Sequence, residues 1–550
     1  MSRSSRNQAN DSSRNSELRV LAFLATCVSV IAFLAYYQRG EVTLYGDAVA
    51  HMNIARRVFD SKTPGLLQLG TVWLPLPHLL MIPFLISTEM WKRGAGGSIP
   101  SMVAYIFGVI GIFRLVRGFF PPQKQLDARA RVAPWIAAIV FAANPNLIYL
   151  QSTAMGESLY LAFFVWAVVF FAEAVRGESK ALTKCSFCLA AACLTRYDGW
   201  FLAAAMCATI LAFTFFQSRK GSSISFPRAA IAKFILISAA SPILWLAYNG
   251  AVYRNPLEFA NGPYSAKAIE KRTQTSGNPG HPGSGNLTVS GLYFLKSAQI
   301  NMAENPWIQR TWILLLLLAI ASSLPANLNL RTPLWPLAFL LIPVPFYALS
   351  VAYSGVPIFI PPWWPFTHYN VRYGLQLLPA FAVALALISC AALRSKYAKG
   401  TLQLLILFLP IAFLIASYAT VWRAIPQTLQ EAQINMRTRN QLEHQLAGWL
   451  DKLPPNATIL MYLGDHVGAL QQAGIPLQQV INEGNHRVWK QPTDPDGLWE
   501  RALANPAQYA DYVVAFDGDP VWQAVHDLHL RELVEIHVTS QARAILYRVR

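Results

Sequence analysis

The sequence is short of charged residues. Asp, Glu, Lys and Arg make up 13% of its 550 residues, about half of the 25% that is usual in soluble globular domains. Hydrophobic residues make up 54%, and they occur in blocks of roughly twenty, the length that a helix needs to cross the ~30 Å hydrocarbon core of a membrane. The composition therefore argues against a soluble fold and predicts a polytopic α-helical membrane protein.

Acidic residues are in the minority, and the net charge is +17. An excess of basic residues can indicate nucleic-acid binding. Here the basic residues are spread over many short loops between apolar blocks, as the positive-inside rule requires of the cytoplasmic loops of a membrane protein. We therefore expect no nucleic-acid partner.

Cysteine is scarce, and a signal-peptide cleavage site is absent. The six cysteines lie in or beside apolar blocks, and none lies in the polar C-terminal region, so no disulfide framework is predicted. The polar segment 1–19 leads into an apolar block with no A-x-A-like site after it. We therefore expect an uncleaved first span with the N-terminus in the cytoplasm.

About eleven apolar segments are predicted to cross the membrane. They lie near 20–37, 98–117, 132–150, 158–175, 185–198, 200–216, 230–250, 311–325, 334–353, 373–392 and 401–420. With this count the basic loops face the cytoplasm, as expected. The segment 71–90 is left out because its three prolines and His78 suit a membrane helix poorly. We expect it to be a juxtamembrane or re-entrant element of the first external loop.

The spans divide the chain into three parts. We predict a cytoplasmic tail at 1–19 and a transmembrane domain at 20–422, which carries a first external loop at 38–97 and a long one at 251–310. Residues 423–550 are predicted to form a helical connector and a small extracytoplasmic α/β domain. Its predicted strands are 458–463, 511–516, 533–538 and 542–549, and its predicted helices are 466–473, 497–504 and 520–528.

The most informative stretch is 45–57, just after the first span. A helix that begins here places Asp47 and His51 on one face by their i, i+4 spacing. Such a pair can be hydrogen-bonded, can form half of a metal site, or can be a helix N-cap beside a packed histidine. The spacing alone favours the N-cap interpretation, since Asp at a helix start accepts backbone N–H groups.

Three further segments carry ionisable residues on the same external face. Glu157 stands at the mouth of a span, where it is either functional or a stabilising first-turn acid. Arg196 shares a tight turn with Asp198; the two residues either pair with each other or with neighbours, or Arg196 binds a phosphate. Arg372 enters a late span as an aromatic-belt anchor or as a ligand of a lipid phosphate. Together these segments predict two carboxylates and two arginines at one membrane surface, beneath a soluble domain.

The order of these motifs resembles the GT-C superfamily of membrane glycosyltransferases, in particular the bacterial members akin to protein O-mannosyltransferases and lipid A aminoarabinose transferases. The matching elements are Gly46-Asp47 followed by Ala55-Arg56, the run Trp73-Leu-Pro-Leu-Pro-His78, Asn144-Pro145 ahead of Glu157, the turn Leu194-Thr-Arg196-Tyr197-Asp198-Gly199, and Arg372-Tyr373. The resemblance implies a GT-C-like fold and a polyprenyl-phosphate sugar as donor.

The resemblance also implies residue roles. Asp47 and Glu157 would be the active-site carboxylates, with Asp47 as general base or as the residue that orients the acceptor. Arg372, Arg196 and Tyr373 would bind the donor phosphate. His51 and His368 are candidates for a metal or acceptor contact; no cofactor is certain, and a divalent metal ion is a candidate. The chain departs from the family pattern at Ala48, where many relatives have a second acid, and at Glu157, where Asp is frequent.

The predicted function is transfer of a glycosyl group, with inversion, to a protein, lipid or polysaccharide acceptor. The protein is expected to be integral to the bacterial inner membrane, in contact with membrane lipids, and to act on its extracytoplasmic face. No nucleotide is available there, which agrees with the lack of a glycine-rich dinucleotide fingerprint. One alternative is a transporter or flippase of a lipid-linked sugar, which would distribute polar groups along its spans. Another is an envelope scaffold, which would need neither Asp47 nor Glu157.

Overall fold

The computed structural model describes residues 3–120, 131–220, 226–274, 280–322, 334–364, 367–394, 399–464, 466–485 and 497–549. The first half of the chain contributes helices α1 Arg3–Gln38, α2 Gly46–Arg57, α3 Leu76–Leu85, α4 Thr88–Lys92, α5 Ala95–Phe119, α6 Val132–Ala142, α7 Pro145–Gln151, α8 Glu157–Val175, α9 Ala181–Cys193, α10 Asp198–Lys220, α11 Arg228–Tyr253, α12 Glu258–Asn261 and α13 Ala266–Thr273.

The second half contributes α14 Leu287–Ile300, α15 Pro306–Ser322, α16 Pro343–Tyr353, α17 Leu378–Arg394, α18 Gly400–Arg423, α19 Gln427–Leu450, α20 Gly468–Ala473, α21 Leu498–Ala504, α22 Pro506–Tyr509 and α23 Pro520–Val525. Short 3-10 helices lie at Glu41–Thr43, Leu66–Leu69, Trp335–Leu341, Val371–Leu377 and Leu477–Gln479. The strands are β1 Ile459–Met461, β2 Val480–Ile481, β3 Tyr512–Phe516, β4 Arg531–Ile536 and β5 Ala544–Arg548.

The helices confirm a polytopic membrane fold. Within the described ranges, eight helical stretches are long and apolar enough to cross a membrane, and the pair α6 and α7, bent by 62°, makes a ninth if it counts as one span. The shorter apolar helices α9 and α15 lie on the two remaining predicted spans. Each of the eleven predicted segments therefore coincides with helix over most of its described residues, while the number of crossings stays a prediction.

The break between α6 and α7 has a local cause. Asn144 is the N-cap of α7, where its side chain accepts a hydrogen bond from the backbone N–H of Leu147 at 3.0 Å, and Pro145 takes the first helical position. Proline at that position lacks the N–H that would continue the preceding helix. The chain therefore turns here, before it reaches Glu157 at the start of α8.

The proline-rich segment after residue 71 does not form a long helix. α3 covers ten residues, Leu76–Leu85, and α4 follows after a short break. The backbone N–H of Leu76 donates to the carbonyl of Leu194 at 3.0 Å, and the hydroxyl of Tyr197 donates to the carbonyl of Val72 at 3.1 Å. At ~1.5 Å per residue α3 is about half as long as a membrane span, which agrees with a juxtamembrane element packed against the Arg196 turn.

The C-terminal region is a small α/β domain, as predicted. Its five-stranded sheet has the order β2-β1-β3-β5-β4, in which β1 pairs parallel with β2 and β3, while β5 pairs antiparallel with β3 and β4. The four predicted strands and three predicted helices coincide with observed elements. The two-residue strand β2 was not predicted, because so short a segment has no readable alternation.

The C-terminal domain is hydrogen-bonded to the segment between α1 and α5. Gln471 donates to the backbone carbonyl of Trp91 at 2.6 Å, and Gln68 donates to the carbonyl of Gly484 at 2.7 Å. Asn485 donates to the hydroxyl of Thr63 at 2.9 Å. These hydrogen bonds hold the C-terminal domain against the segment that contains α2.

Candidate active site

The site is organised around Arg372, in the 3-10 helix Val371–Leu377 at the entrance to α17. Its three guanidinium nitrogens each contact a different carboxylate. Nη2 lies 2.6 Å from Oδ2 of Asp47, Nε lies 3.2 Å from Oε1 of Glu157, and Nη1 lies 3.1 Å from Oε1 of Glu431. One buried guanidinium therefore joins α2, α8 and α19.

A glycine lets this 3-10 helix approach its neighbour. A Cβ at Gly374 would overlap the backbone at Ser297 and Ala298 in α14. Asn301, which follows α14, donates to the carbonyl of Val371 at 2.7 Å. The residue two positions after Arg372 must therefore lack a side chain, and this close packing fixes where the guanidinium lies.

Glu431 was not among the residues predicted for the site. It lies on α19 with its side chain 1% exposed. Besides Arg372, it accepts hydrogen bonds from the backbone N–H groups of Asn370 at 3.1 Å and Val371 at 3.3 Å. The sequence signal that could have found it is an acid on the otherwise apolar face of an amphipathic helix, beside Leu429 and Ala432.

Arg196 forms a second buried centre next to the first. Its Nη1 lies 3.1 Å from the same Glu157 oxygen that Arg372 contacts, and its Nε lies 3.4 Å from Oδ2 of Asp198. Its Nη2 donates to the hydroxyl of Tyr347 at 2.8 Å, and that hydroxyl donates to Asp198 at 3.0 Å. Of the two alternatives for Arg196, the contacts agree with pairing inside the chain: its acidic partners are Asp198 and Glu157.

Tyr373 separates the two arginines. Its ring centroid lies 5.2 Å from the guanidinium carbon of Arg372 and 5.1 Å from that of Arg196. The ring of Tyr347 stacks on it at 5.2 Å. A ring between two cations offers each a cation–π contact and keeps water away from both. Tyr373 is thus part of the cluster, while its predicted role in binding the donor phosphate stays a prediction.

The cluster holds more negative than positive charge. The acids are Asp47, Glu157, Asp198 and Glu431, and the bases are Arg196 and Arg372. Ionising every acid would leave two surplus negative charges, which is costly away from water. In agreement, burial raises the pKa of Glu431 to about 7.

A cavity of about 1130 Å³ opens beside the cluster. Its wall includes Asp47, Arg372 and Glu431, but neither Glu157 nor Arg196. The Asp47 side chain is 39% exposed, whereas that of Glu157 is 1% exposed. A ligand in the cavity can therefore touch Asp47 directly, while Glu157 lies behind the arginine.

The carboxylate of Asp47 does not cap its helix. The N-cap of α2 is Tyr45, with no side-chain hydrogen bond to the helix, and Asp47 lies in the first turn. The N-cap interpretation that the spacing favoured is therefore wrong. The carboxylate is directed at Arg372 because a full charge is a stronger partner than a neutral N–H group.

Four more arginines line the cavity and are not part of the cluster. Arg439 pairs with Glu443 at 2.9 Å. Arg57 lies 3.7 Å from an oxygen of Glu483, and its Nε is buried with no hydrogen-bond partner among the described residues. Arg254 and Arg272 are exposed and form no ion pair within the described ranges. This part of the wall holds cationic groups that a bound anion can reach.

The two candidate histidines have different surroundings. Nδ1 of His51 lies 2.8 Å from Nε2 of His78, and both rings are buried. His368 belongs to neither this pair nor the cavity wall, although its carbonyl accepts a hydrogen bond from Asn435. The structure therefore does not bring His51 and His368 together.

The chemistry of these donors does not suit a divalent metal. Within the described ranges no three His, Cys, Asp or Glu side chains form a group that could hold an ion. The carboxylates of Asp47, Glu157 and Glu431 are bound to Arg372, whose positive charge occupies the place that a cation would take. We therefore derive no catalytic step through a metal.

Comparison with known proteins is informative at the level of structure alone. No protein-family model matches the chain, and no curated protein sequence matches it. ArnT from Cupriavidus metallidurans bound to undecaprenyl phosphate matches with a TM-score of 0.55 and 11% identity, over 95% of this chain and 98% of ArnT. The apo state of ArnT matches over the same shares with a TM-score of 0.53 and 12% identity.

A weaker match is the archaeal oligosaccharyltransferase AglB from Archaeoglobus fulgidus, in complex with an inhibitory peptide and a dolichol-phosphate. It has a TM-score of 0.46 and 12% identity, over 92% of this chain and 70% of AglB. At that TM-score AglB adds nothing to the assignment of the fold, which rests on the match to ArnT. The chain therefore has the fold of ArnT.

Proposed function

We propose that the chain is a membrane glycosyltransferase that transfers a sugar from a polyprenyl-phosphate donor to an acceptor hydroxyl on the extracytoplasmic face. The observation that carries the proposal is Asp47, a partly exposed carboxylate held by Arg372 on the wall of a large cavity. The fold supports it, since the ArnT structure that it matches contains undecaprenyl phosphate.

Asp47 is suited to act as the general base. Its Oδ2 is bound by Arg372, while its Oδ1 has no hydrogen bond within the described ranges and can accept a proton. As the acceptor oxygen attacks the anomeric carbon, its proton passes to Asp47, and the bond from that carbon to the phosphate oxygen breaks. The polyprenyl phosphate leaves with the electron pair. Attack from the face opposite the leaving group inverts the anomeric carbon.

Arg372 and Arg196 are better suited to orienting carboxylates than to binding the donor phosphate. All three nitrogens of Arg372 are engaged, and Arg196 does not reach the cavity. The Arg372 guanidinium has five N–H groups, of which carboxylates take three, so a phosphate that displaced Glu157 or Glu431 would leave a buried carboxylate unpaired, at a cost of several kcal/mol. We therefore assign the phosphate to Arg57, Arg254 and Arg272, whose N–H groups are available to an anion.

Glu157 completes the orientation of the base. One of its oxygens is shared by Arg372 and Arg196, and its side chain is almost fully buried. By holding both guanidiniums it fixes the Arg372 nitrogen that contacts Asp47. We therefore propose that Glu157 acts through Arg372 and does not touch substrate.

The remaining parts of the proposal concern location and acceptor. The chain would lie in the bacterial inner membrane, with its N-terminus in the cytoplasm and its C-terminal domain in the periplasm. The acceptor would be a hydroxyl-bearing protein, lipid or polysaccharide. The crowding of ionisable groups at one cavity, instead of along the spans, favours an enzyme over a transporter.

The test is glycosyl release from a panel of radiolabelled polyprenyl-phosphate sugars, with purified wild type, Asp47→Asn and Glu89→Gln. Glu89 is a matched control, because it also pairs with an arginine in the first loop but is exposed and outside the cavity. We expect Asp47→Asn to lose about 10²–10⁴-fold in turnover and to keep donor binding. Full activity in that variant would reject Asp47 as the base. No turnover with any donor would favour the transporter or scaffold.

A further inference from the structure

Glu431 joins the connector helix to the site by three separate contacts. Its carboxylate receives two backbone N–H groups at the start of the 3-10 helix Val371–Leu377 and one nitrogen of Arg372. The position of Glu431 is itself fixed, because the side chain of Asn146 accepts from the backbone N–H of Thr428 at 3.0 Å in the first turn of α19. The carboxylate therefore cannot move without moving Arg372.

Arg372 in turn lies between Glu431 and Asp47. Two carboxylates that share one guanidinium compete for its charge, so the ionisation of either makes the other hold a proton more tightly. The titratable groups close enough to interact with the charge of Glu431 are Arg372, Asp47, Tyr45, Tyr149 and Tyr369. Arg372 is the one cation among them, so the acids depend on it jointly.

We propose that Glu431 is a positioning residue whose gain or loss of a proton regulates the base Asp47 through Arg372. The inference rests on the proposed function of Asp47. When Glu431 is neutral, Arg372 is shared by Asp47 and Glu157 alone and holds Asp47 as a weak base. When Glu431 ionises, it draws on the same guanidinium, and Asp47 becomes the stronger base.

Two observations indicate that Glu431 can gain and lose a proton near neutral pH. Burial raises the pKa of its carboxyl to about 7, against the opposing effect of Arg372. Glu431 also lines the cavity, so its proton can exchange with water there. Transfer is therefore expected to accelerate as pH rises through neutrality, because a stronger general base lowers the barrier.

The experiment is the pH dependence of kcat/KM for wild type, Glu431→Gln and Glu443→Gln. Glu443 is the matched control, since it is a buried acid on the same helix that pairs with Arg439 and does not line the cavity. We expect wild type and Glu443→Gln to gain severalfold in rate between about pH 6 and pH 8, and Glu431→Gln to lose that rise. An unchanged profile in Glu431→Gln would overturn the proposal.

A shorter acid covers the case in which Glu431→Gln does not fold. Glu431→Asp keeps the charge but withdraws it from Arg372 and the two N–H groups. We expect its rise in rate to remain with a displaced midpoint. A midpoint identical to that of wild type would show that Glu431 does not set the profile.

An infrared titration separates this proposal from the proposed function. A protonated carboxyl band that disappears near neutral pH in wild type, and is missing in Glu431→Gln, supports the proton on Glu431 whether or not transfer is detected. Transfer without such a band would overturn the role of Glu431 and leave the glycosyltransferase proposal intact. The band without any transfer would reject the function but not the proton site.

Discussion

Two sets of arginines lie at or near one cavity, in different surroundings. Arg372 is 7% exposed and Arg196 is 19% exposed, and both contact carboxylates and aromatic rings. Arg57, Arg254 and Arg272 line the cavity and have few acidic partners. The first set was found by motif, and the second only by geometry. A basic residue in a motif can therefore be one that orients the site, while the groups available to a ligand lie elsewhere.

The physical reason is the cost of taking a charge out of water. A buried guanidinium must be paired, and once paired it has little capacity left for an anionic ligand. Arg254 and Arg272 are exposed, so water satisfies their guanidiniums until an anion displaces it, whereas Arg57 is only 15% exposed. The two sets should thus respond in opposite ways to mutation, the first through stability and the second through binding.

The largest expected effect is that of Arg372→Gln on stability. Removing the guanidinium leaves three carboxylates without their shared cation, two of them 1% exposed. Such a loss costs about 3–5 kcal/mol. Thermal unfolding of the detergent-solubilised protein measures it, with Arg254→Gln as the control that stays within about 0.5 kcal/mol. Equal stability of the two variants would remove the distinction between the sets.

The next effect tests the backbone that positions Arg372. Gly374→Ala places a methyl group against the backbone of α14, and overpacking of this kind costs about 1–3 kcal/mol. Gly291→Ala in α14 is the matched control, because its Cβ would lie at an ordinary 3.8 Å from Ala348. We expect unfolding at lower temperature for Gly374→Ala alone. Tolerance of both changes would mean that the 3-10 helix is not tightly held.

Much of this arrangement could be predicted from the sequence. The spans follow from hydropathy, because a helix in lipid must be apolar over its whole length. The topology then brought the motifs of Asp47, Glu157, Arg196 and Arg372 to one face, and the structure joins them within a single ion-pair cluster. The order of these motifs along the chain and their predicted side of the membrane were sufficient to predict that the four residues lie together.

The contacts within the cluster could not be predicted. Glu431 was missed because it belongs to a connector helix that reads as amphipathic and resembles no site motif. The pairing of His51 with His78 was missed because those residues are 27 positions apart, on separate helices. Which cations remain available to a ligand depends on distances between such elements, and sequence spacing carries no information about them.

A third prediction concerns binding at the second set. Arg254→Gln should raise KM for the donor by roughly five- to tenfold, or about 1 to 1.4 kcal/mol, with little change in stability. The matched control is Arg93→Gln, an exposed arginine that pairs with Glu89 outside the cavity. Steady-state kinetics with a varied donor measure the shift. An unchanged KM for Arg254→Gln would return the phosphate to Arg372.

The smallest expected effect distinguishes a neutral buried pair from the charged cluster. His51 and His78 share one hydrogen bond, and burial lowers the pKa of both rings. Nδ1 of His78 is buried without a partner. The favoured tautomer therefore has Nε2–H of His78 donating to His51, because an unpaired lone pair costs less than an unpaired N–H group.

This pair makes stability depend on pH with a defined sign. Because the folded pKa of each histidine lies below the unfolded value of about 6.5, the unfolded chain takes up protons first as pH falls. The stabilising contribution is present above about pH 6.5 and is lost as pH falls toward the folded pKa, by up to ~1.4 kcal/mol per pH unit for each ring. Glu431 acts in the opposite direction, since its raised pKa stabilises the folded state below about pH 4.5, an effect lost as pH rises to about 7.

Thermal unfolding across this range, in wild type, Glu431→Gln and His78→Gln, separates the two contributions. Glu431→Gln removes the opposing effect and should make the acid-side loss of stability steeper than in wild type. His78→Gln should make it shallower. If both variants follow the wild-type curve, neither group exchanges its proton on unfolding. The His51–His78 pair and the ion-pair cluster would then not differ in how folding changes their proton binding.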